Sequence, residues 1–219
     1  MIQKIFPVKS AHYISETLLR KTHMKNLLFF SAIAFLFCSC NKMKDSSGEN
    51  IITNNNGFIN YTIKKGNHFC EGNDYKAVET TEMKFVVKFD STAIYQTISA
   101  QNQFDINKLF GFADNDKDHH QFSARFGWRW SDNALRLFAY VYNDGIVISK
   151  ELTSVAIGAE TVCTIKITGA EYLFTVNDMQ YKVLRTSTTE KAKGYQLYPY
   201  FGGDEVAPHE INVFIKKVE

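Results

Sequence analysis

From Tyr61 onward, apolar and polar residues alternate in short runs separated by turn-forming residues, and no stretch holds a 3.6-residue period for three helical turns. The alternation predicts nine strands: 58–64, 83–89, 122–130, 135–142, 162–168, 172–176, 180–184, 195–201 and 211–217. Asn143-Asp144-Gly145 and Asn177-Asp178 supply residues that tolerate positive φ, as tight hairpin turns require. Many short strands at this spacing predict an all-β fold, a sandwich or a barrel. No repeat period is visible, which argues against a solenoid or propeller.

The segment from Gln121 to Tyr142 carries the strongest pattern. Phe122, Ala124, Phe126, Trp128 and Trp130 share one face; Gln121, Ser123, Arg125, Gly127 and Arg129 share the other. With Ser131–Ala134 as a four-residue loop, Trp130 pairs with Leu135 and both apolar sets bury together. A one-residue slip would bury Arg136 against Trp128, so burial selects the first register. That register sets Arg125 opposite Tyr140, Ser123 opposite Tyr142 and Arg129 opposite Arg136. Two facing arginines repel by roughly 0.2–1 kcal/mol, so an acidic group is expected between them. Either a carboxylate of the same sheet supplies it, or an anionic ligand does, held by Arg125, Arg129 and Arg136 with Tyr140 and Tyr142 as a stacking surface.

The first forty residues change the picture of where this sandwich resides. Met24-Lys25-Asn26, an apolar run from Leu27 to Phe37 broken only by Ser31, and Cys38-Ser39-Cys40 read as an export signal. The run is too short to span a bilayer, which takes about 20 apolar residues. Its end resembles a bacterial lipobox with Cys40 as the lipid-modified residue, which implies a cell-envelope protein held at a membrane, the outer membrane being the expected one. Residues 1–23 precede an already complete signal, so Met24 is the expected true start. Residues 41–57 are polar and rich in Ser, Gly and Asn, which predicts a flexible stalk before a domain at 58–219.

Charge follows the same division. The chain carries 25 basic and 23 acidic residues, but five basic residues and one acidic residue precede Cys40, leaving 20 against 22 and a net charge of −2. A nucleic-acid partner loses its electrostatic support. Cys38 leaves with the signal, so Cys70 and Cys163 are the thiols of the folded part. Export permits a disulfide between them, and two buried thiols fit equally well.

Two loops offer further chemistry. Asp114, Asp116 and Asp118 alternate as the opening of a calcium loop does, although His119 and Arg125 stand where the EF-hand pattern needs Gly and an acid. A solvated acidic turn is the stronger reading. His119 and His120 would point oppositely on a regular strand and so not share an ion. Asp204, Glu205 and His209 lie in a Gly-rich loop with Pro208, either as an ordinary loop or as the rim of a metal or glycan site; Glu205 and His209 would be an acid–base pair there.

The segments Tyr172-Leu173-Phe174-Thr175-Val176-Asn177 and Gly194 to Glu205, then Ala207-Pro208-His209 and the closing strand from Ile211 to Lys217, resemble the late strands of concanavalin-A-like lectin/glucanase sandwiches. Laminin-G-like modules and domains of Bacteroidota lipoproteins share that resemblance, which covers about Tyr61 to the C-terminus. It implies a two-sheet antiparallel β-sandwich of the jelly-roll kind, with curved sheets whose concave face often binds glycans, sometimes beside a calcium ion. The Glu-x-Asp-x-Glu strand of its β-glucan hydrolases is absent. The Arg-x-Glu-x-Arg strand of its alginate lyases is only partly matched, because Arg125-Phe126-Gly127-Trp128-Arg129 lacks the acid. The expectation is therefore a lipid-anchored glycan-binding domain without catalytic residues, with a polysaccharide lyase or hydrolase using Arg125, Tyr140, His119 or His209 as one alternative. A protein-binding envelope lipoprotein is the other.

Overall fold

The computed structural model describes residues 56–218. The export signal, Cys40 and the stalk up to residue 55 lie outside the described residues. Twelve strands form there: β1 (Ile59–Ile63), β2 (Ala77–Thr80), β3 (Glu82–Phe89), β4 (Asn107–Ala113), β5 (Phe122–Ser131), β6 (Ala134–Asn143), β7 (Ile146–Val155), β8 (Thr161–Ile167), β9 (Glu171–Val176), β10 (Met179–Leu184), β11 (Ala192–Leu197) and β12 (Ile211–Val218). They build two antiparallel six-stranded sheets, ordered β1-β12-β3-β8-β9-β10 and β2-β11-β4-β5-β6-β7. This is the expected two-sheet sandwich.

The alternating positions of both sheets meet in one aromatic core. Phe85 packs edge-on against Phe110 and Phe126, Phe126 against Phe174, and Tyr95 against Trp128. Fully burying each such ring contributes about 1.5–3 kcal/mol, and edge-to-face pairs add roughly 0.5–1.5 kcal/mol. This burial fixes the β5–β6 register, with Trp130 opposite Leu135 and Arg125 opposite Tyr140. The connection is tighter than expected: Ser131 pairs with Ala134, and only Asp132 and Asn133, at φ 51° and 55°, make the turn. Two consecutive positive φ values are the signature of a hairpin turn that matches strand twist. Asp144-Gly145 closes the β6–β7 hairpin in the same way.

Strands β2, β4 and β7 were not predicted. Every residue of β4 except Lys108 is buried, so no alternation betrays it, whereas β7 is a largely exposed edge strand interrupted by Lys150 and Glu151. β11 ends at Leu197, two residues before Pro199, rather than running to Phe201; Tyr200 makes only isolated bridges to Phe69 and Lys108. Proline cannot donate to a ladder, which terminates the strand.

Cys70 and Cys163 are both free and buried, so no disulfide joins them. Cys70 bridges to Ile63 at the edge of β1, and β1, β12 and β3 separate it from Cys163 on β8. Four strand spacings amount to roughly 19 Å, far beyond the Cα separation of about 7 Å that a disulfide spans.

Asp114 departs most from its expected role. It is buried, and it accepts hydrogen bonds from Tyr172 Oη (2.6 Å), Arg185 Nε (2.8 Å) and the Lys193 amide (3.1 Å). Tyr172 and Arg185 belong to one sheet and its extension; Asp114 and Lys193 belong to the other, so the carboxylate pins the sheets together. Burial alone would raise its pKa, but the Arg185 and Tyr172 hydrogen bonds more than offset this and hold it below the ordinary value. Asp114→Ala would strand a buried guanidinium and should cost about 3–5 kcal/mol in urea unfolding. Because the folded pKa is depressed, Asp114 stabilises fully above the unfolded-chain value of about 3.9, and that contribution should vanish as pH falls through the folded value.

Candidate functional site

The outward face of β4, β5, β6 and β11 floors a cleft of about 690 Å³. Lys108, Ser123, Arg125, Tyr140 and Tyr142 line its floor, His119 and His120 one end, and Tyr195 to Tyr200 with Phe69 and Tyr75 its walls. This floor is not an open sheet surface. Arg125 is only 7 % exposed, because the walls rise above it.

Position and burial follow from the pleat. Phe126 and Trp128 point into the core, so Arg125 must point out of it, opposite Tyr140 on β6 and Gly111 on β4. Gly111 makes room, since a Cβ there would lie 2.4 Å from Arg125 Cβ and 2.2 Å from the Ala124 carbonyl. Around the guanidinium stand the phenols of Tyr140, Tyr142, Tyr195 and Tyr200. Among the described residues, no carboxylate pairs with it and its Nε has no hydrogen-bond partner. Burial pulls its pKa down to about 10, so it remains a cation at neutral pH.

A second cation lies beside it. Lys108 Nζ donates to the Ile106 carbonyl at 2.6 Å and sits 4.6 Å from the centre of the Tyr140 ring. Burial first, and then the Arg125 charge, lower its pKa to about 8. Burial likewise pushes Tyr140 up to about 12.

At the end of the cleft, His119 Nδ1 and Tyr195 Oη are 2.8 Å apart. Burial, His120 and Arg125 together depress the His119 pKa against the pull of Asp118, so its imidazole is neutral at neutral pH. Burial also raises Tyr195. A neutral imidazole hydrogen-bonded to a phenol, next to a fixed positive charge, can pass a proton in either direction.

The other expected residues do not join this site. Arg129 and Arg136 share Glu151 of β7, at 3.8 and 2.8 Å, and Arg136 also reaches Asp132 at 3.3 Å. The acidic group between the two arginines is thus a carboxylate of the same sheet. Arg129 is further spent on the Phe104 carbonyl, and its guanidinium lies over the Phe138 ring.

Asp114, Asp116 and Asp118 do not converge as a calcium loop: Asp114 faces Arg185, Asp116 pairs with Lys193 at 2.8 Å, and Asp118 caps the His120 amide. Nor is Asp114 a solvated turn residue. Glu205 is occupied by the amides of Ile98 and Ser99 and by Asn102, and His209 Nε2 lies 2.9 Å from the Thr92 carbonyl. Both hold loops, so they form no acid–base pair, and Asp204 is exposed and outside the cleft.

Lys108, Tyr195 and Tyr200 were missed. A lone lysine inside the apolar run Lys108-Leu109-Phe110-Gly111-Phe112 was the available signal for the first. The tyrosines were visible only as part of a strand.

No family model and no curated protein matches the chain. Solved structures do. An alginate lyase aligns at a TM-score of 0.52 with 9 % identity, covering 74 % of each chain. A structure described with endo-acting O-glycanases of the human gut microbiota that initiate mucin breakdown aligns at 0.52 with 9 % identity, over 80 % of this chain and 86 % of its own. The catalytic domain of an endo-1,3-β-glucanase, a laminarinase from Thermotoga petrophila, aligns at 0.50 with 10 % identity, over 74 % and 76 %. The fold is the concanavalin-A-like jelly roll. At this identity the likeness concerns the path of the backbone.

Lys108 gives a test of how the cleft is charged. Its folded pKa is depressed, so between about pH 8 and the ordinary lysine value of 10.5 the unfolded chain holds a proton that the folded chain has lost. Folding stability should therefore rise with pH across that window, and in Lys108→Met the rise should be reduced to the part that Lys217 contributes, since burial lowers its pKa to about 8 as well, while stability at pH 7 stays level or increases. Urea unfolding midpoints across the window check both.

Proposed function

We propose that this protein binds an acidic polysaccharide in the tyrosine-walled cleft, with a uronate or similar anionic group on Arg125. The observation that carries this reading is a buried guanidinium left without a carboxylate or an Nε partner. Buried charges are normally paired, and a planar fork of donors fits a carboxylate in bidentate geometry. Phenol rings beside it suit the alternating apolar and hydroxylated faces of sugar rings. The fold supports the same direction, because several similar structures are glycan-acting enzymes, among them an alginate lyase and a laminarinase.

A second reading, cleavage by β-elimination, is favoured by the His119–Tyr195 pair. Arg125 would neutralise the uronate carboxylate and so acidify the neighbouring C5–H. His119 Nδ1 would accept that proton, the electron pair would form the C4=C5 double bond, and the C4–O bond would break with Tyr195 protonating the departing oxygen. Hydrolysis fits less well. It takes two carboxyl groups about 5–9.5 Å apart, and Asp74 is the one carboxylate among the lining residues.

The setting follows from the sequence. We read Cys40 as the lipid-modified N-terminus of an envelope lipoprotein of the Bacteroidota type, so the cleft would work tethered to a membrane, expected to be the outer one. Cys40→Ser should move the protein from the membrane fraction to the soluble one, as fractionation would show.

Titration of the full chain with oligouronates and sulfated and neutral oligosaccharides tests the main reading. Acidic sugars should bind; Arg125→Met should lose about tenfold to hundredfold in affinity, the worth of a hydrogen-bonded charge, and Arg129→Ala should stay within about twofold. A folded protein that ignores every acidic glycan, or an Arg125→Met variant that binds as tightly, overturns it. For the elimination reading, an unsaturated product should appear with oligouronates and disappear in Tyr195→Phe, whose binding persists.

A further inference from the structure

We infer that Asp118, His119 and His120 form a binding site for a first-row divalent transition metal of the Zn²⁺ class at the end of the cleft, where the two histidines belong to its lining and Asp118 lies outside it. One ligand atom from each of these residues lies within 4.8 Å of the other two. Asp118 Oδ1 is 3.4 Å from His120 Nδ1, and Asp118 Oδ2 is 3.8 Å from His119 Nδ1. Tetrahedral zinc with bonds near 2.0–2.1 Å sets its ligand atoms about 3.3 Å apart, so side-chain rotations that shift these atoms by up to about 1.5 Å close the site. Two imidazoles with one carboxylate select Zn²⁺, Ni²⁺ or Cu²⁺ over Ca²⁺ and Mg²⁺, which take oxygen ligands.

The arrangement is possible because residues 119–121 are a turn, not a strand. On a strand adjacent side chains diverge; here the two imidazole rings lie 4.1 Å apart on one side. The turn is also fixed before any ion arrives. The amides of Gln121 and Phe122 donate to the Asp118 carbonyl at 2.8 and 3.1 Å, the His120 amide donates to the Asp118 carboxylate at 2.8 Å, and Ser123 Oγ donates to the His119 carbonyl at 2.7 Å. An ion has access from solvent, since the side chains of Asp118 and His120 are 58 % and 68 % exposed. Arg125 behind His119 works against a second positive charge, which keeps the affinity modest.

Tyr195 Oη lies 2.8 Å from His119 Nδ1, so an ion bound at that nitrogen would displace this hydrogen bond. Metal binding and proton transfer by His119 are therefore mutually exclusive.

Metal-stripped full chain should take up one Zn²⁺ in equilibrium dialysis or calorimetry, and Co²⁺ should give the visible absorption of a tetrahedral site with nitrogen and oxygen ligands. His120→Ala and Asp118→Asn should each weaken uptake by roughly tenfold or more, while His209→Ala and His68→Ala leave it unchanged. His120 is exposed enough for its loss to spare the fold, which circular dichroism checks. The absence of stoichiometric uptake, or uptake that survives His120→Ala, overturns the site.

Discussion

The two-residue period of one hairpin organises both the core and the cleft. On β5, Phe126 and Trp128 are held inside by Phe85, Phe174 and Tyr95, and the same pleat then has no choice but to present Arg125 and Arg129 on the opposite face. Shifting the register by one residue would bury Arg136 and expose the aromatic set, at a cost of several kcal/mol. The placement of the cleft cations is thus secured by burial on the far side of the sheet rather than by any attraction within the cleft. Gly111 and the Asp132-Asn133 turn complete this geometry locally, the one by leaving space, the other by closing the hairpin without slack.

Arg125 and Arg129 lie four residues apart on one face, yet the protein treats them oppositely. Arg129 and Arg136 meet Glu151, carbonyl oxygens and ring faces, so their charge is consumed within the chain. Arg125 has tyrosines and a second cation, Lys108, for neighbours. Nothing in packing requires this arrangement, since an apolar residue at position 125 would avoid desolvating a guanidinium. This buried charge without a carboxylate partner among the described residues is the basis of the proposed anionic ligand. Burial is the first cause of the lowered pKa of both cations, with the Arg125 charge adding to it for Lys108.

The sandwich and the β5–β6 register were legible because each rests on alternation between a dry and a wet face. β4 was not, since both of its faces are covered and a run such as Leu109-Phe110-Gly111-Phe112-Ala113 has no polar face to reveal its period. With β4 went Lys108, and the depth of the cleft with it. The aspartate ladder misled for a different reason: Asp114 looks like its neighbours in sequence, but its partner Arg185 is 71 positions away. The histidines misled through an assumption of regular geometry that a turn does not obey. Arg125, Tyr140 and Tyr142 were named from pairing alone, whereas separating Arg125 from Arg129 and Arg136 required β7, whose Glu151 sits on an edge strand with little hydrophobic signal.

Cleft chemistry narrows further when charge and proton transfer are considered together. A hydrolase needs one carboxyl group protonated and another ionised on either side of a glycosidic bond, and a cleft lined by two cations and Asp74 as its one carboxylate matches that pair poorly. Elimination asks for the opposite polarity: a fixed positive charge to spread the developing carbanion into a carboxylate, and weakly acidic groups to move protons. Arg125 meets the first demand, and a phenol whose pKa is raised by burial beside an imidazole whose pKa is lowered by it meets the second. The same polarity that would make an acidic sugar bind also fixes which bond such a site could break. On the proposed reading, binding and elimination would be successive uses of one electrostatic arrangement, separated by whether His119 and Tyr195 reach the C5 proton and the leaving oxygen.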